Sequence, residues 1–145
     1  MTMKIVIGID RGGADSRSAV YAKGLAKRIG KCELIVVHVI EWSPYSFQTA
    51  EENAERHKRR EQEIETAQAR IVQPTVDALV AEGFKARGIV RHGNVADLLD
   101  QIAKQESADQ IVVSRTSDDG LVRRIFGSVA ANLVMHASVP VTVVG

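Results

Sequence analysis

The residues best suited to chemistry lie between Ser114 and Ser128, the longest stretch of the chain without a strand or helix pattern. This stretch ends where the last predicted helix begins. Free backbone N–H groups at Gly127, Ser128 and Val129, together with the helix dipole and the Ser128 hydroxyl, would form a pocket for an anion such as phosphate. The Gly127-Ser128 pair is also an ordinary helix cap, so the local sequence leaves both interpretations open.

A set of side chains for catalysis is not evident. A hydrolase or kinase needs a positioned base, a nucleophile or water site, and usually a metal clamp, and the Walker pattern is absent. His38 lies in an apolar strand and is expected to be a hydrogen-bonded core residue, whereas His92 is the only histidine expected to border a cleft. Cys32 has no acid–base partner nearby in sequence. We therefore predict no catalytic residue and no metal ligand.

Composition narrows the class of protein. The 145 residues are 45% hydrophobic and 26% charged, with a net charge of +1, and this length favours a single domain over residues 1–145. Near neutrality argues against unselective nucleic-acid binding, which needs a basic face. The first apolar run is shorter than a signal core and no run approaches a membrane span. We expect a cytoplasmic protein that neither enters a membrane nor binds nucleic acid.

Five strands are predicted, the first two from apolar, β-branched runs typical of strands that are covered on both faces, as in parallel sheets. They lie at residues 4–10, 34–40, 84–91, 110–114 and 140–144. Helical patterns separate them, beginning after Asp15 or Ser16, within the charged run from residue 51, at Asn94 and at Ser128. The alternation predicts one doubly wound α/β sheet, Rossmann-like, with mainly parallel strands in the order 3-2-1-4-5 and helices on both faces.

The second predicted helix is long and changes character along its length. Its first half is charged, with favourable i,i+4 pairs such as Glu52 with Arg56, and is predicted to be a solvated face. Its second half carries an apolar stripe that ends at Gly83 and includes Pro74. Because proline cannot donate to the carbonyl four residues earlier, we predict a kink or a break there. The predicted stripe consists of Ile64, Ala67, Ile71, Ala78 and Leu79.

The predicted strand order places the ligand site. Winding reverses between strands one and four, and open parallel sheets bind ligands at the carboxyl ends of the strands that flank such a reversal. Asp10 ends the first strand and Ser114 ends the fourth. Asp10 could also cap the turn into the following helix, so its role in a site is one of two possibilities.

The spacing within this region resembles that of the universal stress protein family. In its nucleotide-binding members strand four is followed by Gly, two residues, Gly, nine residues, Gly and then Ser or Thr. The corresponding residues here are Ser114, Ser117, Gly127 and Ser128. The resemblance extends over nearly the whole chain, through residues 4–10, 37–39, Gly93 and 136–144, and implies the adenine nucleotide alpha hydrolase-like fold.

The resemblance also implies a ligand and its contacts. It implies ATP or a related adenine nucleotide, as in the nucleotide-binding members, with Mg²⁺ as an accompanying ligand. Asp10 would meet the ribose or adenine, while Val39 and Val113 would flank the base. The residues near the ribose and phosphates would be Ser114, Thr116, Ser117, Gly127, Ser128 and Val129. The implied activity is that of a stress-response module, with at most very slow ATP hydrolysis or autophosphorylation.

The chain departs from the family pattern at its two leading glycines, which are Ser114 and Ser117. A glycine in such a loop supplies a positive φ or a close approach to phosphate, and a serine forced into that conformation costs about 1–2 kcal/mol. The alternative function is therefore a homodimeric interaction protein of the same fold that binds no nucleotide. A flavodoxin-like site is disfavoured, because the Arg11-Gly12-Gly13 turn lacks the hydroxyl-rich cradle of a flavin phosphate.

The last predicted strand gives a reason to expect self-association. Residues 139–144 would leave an apolar sheet edge exposed. Two such edges can pair across a twofold axis. The family resemblance likewise implies a homodimer, which we expect to form through this edge strand.

Overall fold

The structure is a computed structural model that describes residues 2–41, 49–115 and 123–145, without the side chains of residues 123–127. These residues form a parallel sheet whose strands are ordered β3-β2-β1-β4-β5. The strands are β1 Met3–Gly8, β2 Cys32–Glu41, β3 Lys85–Gly93, β4 Gln110–Ser114 and β5 Val141–Val144. The predicted fold and strand order are confirmed.

Helices cover both faces of this sheet. They are α1 Arg17–Ile29, α2 Ala50–Ala67, α3 Gln73–Ala81, α4 Val95–Gln105 and α5 Arg123–His136. A short 3₁₀ turn, Gly13–Asp15, precedes α1, and a π-helical turn, Gln68–Val72, joins α2 to α3. In the described part of the chain, no helix is both long and apolar enough to cross a membrane.

The core consists of two layers, one on each face of the sheet. Successive residues of a strand point to opposite faces. Ile5 and Ile7 therefore pack on the side of α1 and α3, while Val6 packs with Leu99 and Leu133 on the side of α4 and α5. All five side chains are almost fully buried. This double burial explains the apolar runs of β1 and of residues 34–37 in β2.

Near Pro74 the helix continues but changes from α-helical to π-helical geometry for one turn. The helical path continues from α2 into α3 through the π turn, in which the Gln73 N–H donates to the Gln68 carbonyl five residues earlier. Pro74 has no N–H with which to reach the Arg70 carbonyl, so the wider turn replaces the missing α-helical bond. The extra residue rotates α3, so that Ala78 is exposed. Its predicted place in the apolar stripe was wrong.

The π turn fits against a glycine of β3. A Cβ placed on Gly88 would lie only 2.1 Å from Val72 Cγ1 and 3.2 Å from Val76 Cγ2. Val72 is fully buried at the end of the π turn. Gly88 therefore allows the turn to approach the sheet and fixes where α2 and α3 lie.

The last helix begins earlier than its sequence pattern indicates. We predicted a start at Ser128, but α5 begins at Arg123. Only the first four N–H groups of a helix, counted from its N-cap, lack an intrahelical acceptor, and those of Gly127, Ser128 and Val129 come after them. The helix start that supported the predicted anion pocket at Gly127–Val129 was therefore wrong.

An ion-pair network closes the amino end of the sheet. Arg87 of β3 donates to Glu33 of β2 at 2.7 Å and also to Glu106, which follows α4. Lys4 of β1 donates through Nζ to the Glu106 carbonyl at 3.1 Å. The hydrogen bond from Arg87 lowers the pKa of the Glu33 carboxyl, although burial opposes it. This network joins three strands and the end of α4.

Candidate functional site

A cavity of about 920 Å³ lies at the carboxyl ends of β1 and β2. One half is walled by residues of the α4 side of the sheet, including Val39, Val95 and Leu99, and the other by residues of the α2 side, including Ile40 and Ile71. Polar residues that also line it are Asp10, Arg11, His38, Glu41, Arg59, Gln62, Glu63, Thr66 and Arg70. The cavity is therefore apolar within and polar at its edge, as small-molecule sites usually are.

Asp10 holds the turn before α1 and also lines the cavity. Its Oδ1 accepts hydrogen bonds from the Gly12 N–H at 2.8 Å and the Ser16 hydroxyl at 3.0 Å, which holds the turn before α1. The same carboxylate lines the cavity. Ser16 occupies the cap position of α1, but its side chain makes no cap hydrogen bond to the helix. Asp10 thus anchors the turn through one oxygen while bordering the cavity.

Ser114 holds α1 against the sheet. Its hydroxyl accepts the Ser18 N–H at 3.1 Å, and the Ser18 hydroxyl donates to the Gly8 carbonyl at 2.8 Å. Ser114 is 2% exposed and Ser18 is fully buried. The Ser18 N–H is in the first turn of α1, where helices leave donors unpaired. Ser114 therefore satisfies a buried donor of the scaffold, and it is not among the described residues that line the cavity.

The other predicted site residues are divided between core and surface. Val113 and Val129 are buried in the layer under α4 and α5, and neither is among the described lining residues. Ser128 is exposed and Gly127 lies within α5. Thr116 and Ser117 lie outside the described residues. Of the predicted set, the structure brings Asp10 and Val39 together in the cavity.

The described lining of the cavity includes His38 but not His92, the histidine that was expected there. His38, predicted to be a hydrogen-bonded core residue, donates through Nδ1 to the Ile9 carbonyl at 3.1 Å and also lines the cavity. Burial lowers its pKa, although that hydrogen bond acts in the opposite direction, so the imidazole is neutral at pH 7. His92, predicted to border the cleft, instead contacts Glu63 through Nε2 at 3.1 Å.

The wall formed by α2 was not predicted. Its cavity residues recur with helical spacing at positions 59, 62, 63, 66, 67, 70 and 71. The charged residues of this series looked like a solvated face because their sequence pattern is that of a surface helix. The i, i+3, i+4 spacing of these residues continues from the charged half of the predicted helix into its apolar half. This spacing was the sequence signal that they share one face of the helix.

Among the described residues, no group of three or more His, Cys, Asp or Glu side chains is placed to hold a metal ion. Cys32 begins β2 at the opposite end of the sheet from the cavity, and burial raises the pKa of its thiol, with Asp109 and Glu33 adding to the effect. A thiol with a raised pKa is a poor nucleophile at neutral pH.

Comparison with known proteins assigns the chain to a family. The family model for Usp, the universal stress protein family, matches residues 1–145. The chain belongs to the universal stress protein family. Universal stress protein MJ0531 of Methanocaldococcus jannaschii is 29% identical over 142 residues, which are 97% of this chain and 81% of that protein.

Several solved structures share the fold. That of hypothetical protein MJ0577 has a TM-score of 0.72 at 24% identity and covers 99% of this chain and 96% of its own. A universal stress protein in complex with cAMP has a TM-score of 0.63 at 22% identity, covering 99% and 96%. A family protein from Arabidopsis thaliana with AMP bound has a TM-score of 0.58 at 17% identity, covering 98% and 90%.

Proposed function

We propose that this universal stress protein family member binds an adenine nucleotide in the cavity at the carboxyl ends of β1 and β2. The supporting observation is that Asp10 and Val39, both expected to contact the nucleoside, line one cavity. This cavity lies on the β2 side of β1, whereas the predicted site was at the strand-order reversal between β1 and β4. Similar structures that contain cAMP and AMP support the same class of ligand.

The chemistry of the walls suits a nucleoside. Val39, Val95 and Leu99 offer an apolar surface to a planar base. The carboxylate of Asp10 can accept hydrogen bonds from ribose hydroxyls, because only its Oδ1 is used in the described turn. Neutral His38 lies beside it without adding charge. The ligand would be held by apolar contact and by a carboxylate that the turn has already positioned.

The polyphosphate end of ATP fits the described residues less well. Ser114 is engaged with the Ser18 N–H, and the N–H groups of Gly127, Ser128 and Val129 follow the first four of α5. We include ATP with Mg²⁺ in the proposal because Thr116 and Ser117 were expected to lie near the ribose and phosphates. The proposal therefore makes the nucleoside the main determinant of affinity and the distal phosphates secondary.

Calorimetric titration with AMP, and with ATP in the presence and absence of Mg²⁺, tests this proposal. We expect saturable AMP binding. Asp10→Asn should weaken it about tenfold, because the ribose would lose one hydrogen bond to a charged group. Asp15→Asn removes the same charge from an exposed residue of the adjacent turn and should leave affinity within about twofold. Absence of saturable binding at millimolar AMP and ATP would exclude the proposed function.

We further propose that the protein acts as a cytoplasmic homodimer through β5. This strand is at the sheet edge and half-buried. Its Pro140 and Val144 carbonyls accept N–H groups at the two ends of β4. In a parallel ladder the alternate residues Val141 and Val143 therefore direct their backbone groups outward. Light scattering should give twice the 15.8 kDa chain mass, and Val143→Pro, which removes one outward N–H, should shift it towards monomer.

The proposed role is regulatory rather than enzymatic. Nucleotide occupancy would alter the surface presented to a stress-response partner, with at most very slow hydrolysis or autophosphorylation. A phosphate-release assay should therefore stay near the uncatalysed rate under conditions in which calorimetry shows ATP bound.

A second candidate function is a homodimeric interaction protein that binds no nucleotide. The engagement of Ser114 with α1 favours it, because a glycine of the family's phosphate motif has here become part of the scaffold. The titrations above separate the two candidates: a dimer that binds neither AMP nor ATP would be this second one.

A further inference from the structure

The α2 half of the cavity is not used by the proposed nucleoside contacts. Val39 and Ile40 are successive residues of β2 and face opposite sides of the sheet, so Val39 packs with the α4 layer and Ile40 with the α1–α3 layer. The second half has an aliphatic floor of Ile9, Ile40, Ala67 and Ile71. This floor is open to the same cavity but lies on the other side of β2 from the proposed base position.

The edge of this half carries two guanidinium groups that are free to bind an anion. Arg11 and Arg70 both line the cavity, and neither has a hydrogen-bond or ion-pair partner among the described residues. Two carboxylates that also line the cavity have other partners: Asp10 accepts two neutral donors of the turn before α1 through Oδ1, and Glu63 contacts His92 at 3.1 Å.

Two further charged residues border the cavity. Arg59 pairs with Glu55 at 3.7 Å on the exposed surface of α2. Glu41 is the last residue of β2 and is exposed. The guanidinium groups of Arg11 and Arg70 are therefore the hydrogen-bond donors that the α2 half offers to an anion.

The π turn that carries Arg70 lies next to the turn that follows Arg11. Arg70 and Ile71 are within the π turn, and Gly13, two residues after Arg11, packs against it. A Cβ on Gly13 would lie 3.0 Å from Thr75 Oγ1 and 3.6 Å from the Ile71 carbonyl oxygen. Single π turns in helices are frequent at functional sites, because they redirect side chains that a regular helix would place elsewhere.

We propose that the α2 half of the cavity binds a small apolar carboxylate, with its aliphatic part on Ile40 and Ile71 and its carboxylate on Arg11 and Arg70. This inference rests on the proposed function only in placing a second ligand beside the nucleotide. A volume of about 920 Å³ is near the upper end of the range for one drug-sized ligand, roughly 300–1,000 Å³. The cavity therefore has room for both.

The probe is decanoate, titrated calorimetrically below its micelle concentration into the full chain. We expect saturable binding of one equivalent, weakened at least tenfold by Arg70→Gln, which removes a charge-assisted contact. Lys58→Gln makes the same change of charge on the exposed side of α2, outside the cavity lining, and should stay within about twofold. Equal losses in the two variants would overturn the proposal, since they would indicate only general attraction of an anion.

A second variant tests the position of the aliphatic part. Thr66 is exposed and lines the α2 half, so Thr66→Trp should fill this half without disturbing the core and should abolish decanoate binding. Unchanged decanoate affinity in Thr66→Trp would overturn the proposal. The same samples are titrated with AMP: AMP binding without decanoate binding would overturn this inference alone, whereas decanoate binding without AMP binding would support it and exclude the proposed function.

Discussion

At the scale of single residues, Ser114 shows how a motif position can change its role. The family pattern has glycine there, and a serine was expected either to disturb the loop or to donate to phosphate. The structure gives its hydroxyl a different partner, the Ser18 N–H at 3.1 Å, in a region closed to water. The substitution therefore links the end of β4 to the start of α1.

Replacing Ser114 by alanine should destabilise the fold. The Ser18 N–H would be buried without an acceptor, which costs about 1–3 kcal/mol. Urea unfolding measures the change. Ser138→Ala is the control, because that hydroxyl bonds to Asp100 at an exposed position, where water can replace it. A loss of stability no larger than that of Ser138→Ala would contradict the role assigned to Ser114.

At the scale of elements, the join between α2 and α3 determines the shape of the cavity. Pro74 removes one helical hydrogen bond, the π turn absorbs the change, and Gly88 leaves space for Val72 to approach β3. Arg70 and Ile71 then face the cavity from within the turn. A regular helix of the same sequence would present a different set of side chains there.

Gly88→Ala should therefore be unfavourable, although alanine suits a strand better than glycine does. The added methyl group would lie 2.1 Å from Val72 Cγ1, and overpacking of this kind costs about 1–3 kcal/mol. Combining it with Val72→Ala should recover part of the loss. Gly24→Ala in α1, where no atom lies within 4 Å, should instead stabilise the protein by about 0.5–1 kcal/mol. Thermal unfolding of the unchanged protein, the two single variants and the double variant measures these effects. A melting temperature of Gly88→Ala as high as that of Gly24→Ala would contradict the close packing assigned to Gly88.

At the scale of the whole molecule, the ion-pair network around Arg87 and the candidate site occupy opposite ends of the sheet. Arg87, Glu33 and Glu106 join the amino end, while the cavity lies at the carboxyl ends of β1 and β2. Their charges therefore act mainly on stability. The hydrogen bonds from Arg87 lower the pKa of both glutamates, against the effect of burial.

Stability should consequently fall in acid. A carboxyl whose pKa is lower in the folded state contributes stability that is complete above its ordinary value of 4.5 and is lost as the pH falls through the folded pKa. Urea unfolding at pH 7 and at successively lower pH should show this loss, and Glu33→Gln should reduce its size. Glu55→Gln, in a pair with both side chains exposed, should leave the pH dependence unchanged. An equally steep loss in Glu33→Gln would contradict the assignment.

The sequence predicted the fold better than the site for a physical reason. Double burial imposes apolar, β-branched runs on β1, β2 and β4, and Asn94 caps α4 by accepting the Asp97 N–H, as its spacing indicates. These signals are local. The π turn depends on its packing against Gly88 of β3, which overrides local pattern, and the local pattern indicated a later start for α5 than Arg123. The cavity is formed by residues far apart in sequence, so only the assembled sheet shows that α2 is one of its walls.

The separation of the ion-pair network from the cavity has a consequence for how this scaffold can change over time. Substitutions at the exposed cavity residues of α2 touch neither the buried layers nor the bonds around Arg87. Such positions can vary with little penalty in folding, so ligand preference is free to drift between descendants of one ancestral chain. A common architecture can thereby serve many unrelated small molecules, each selected by a handful of side chains along a single helix.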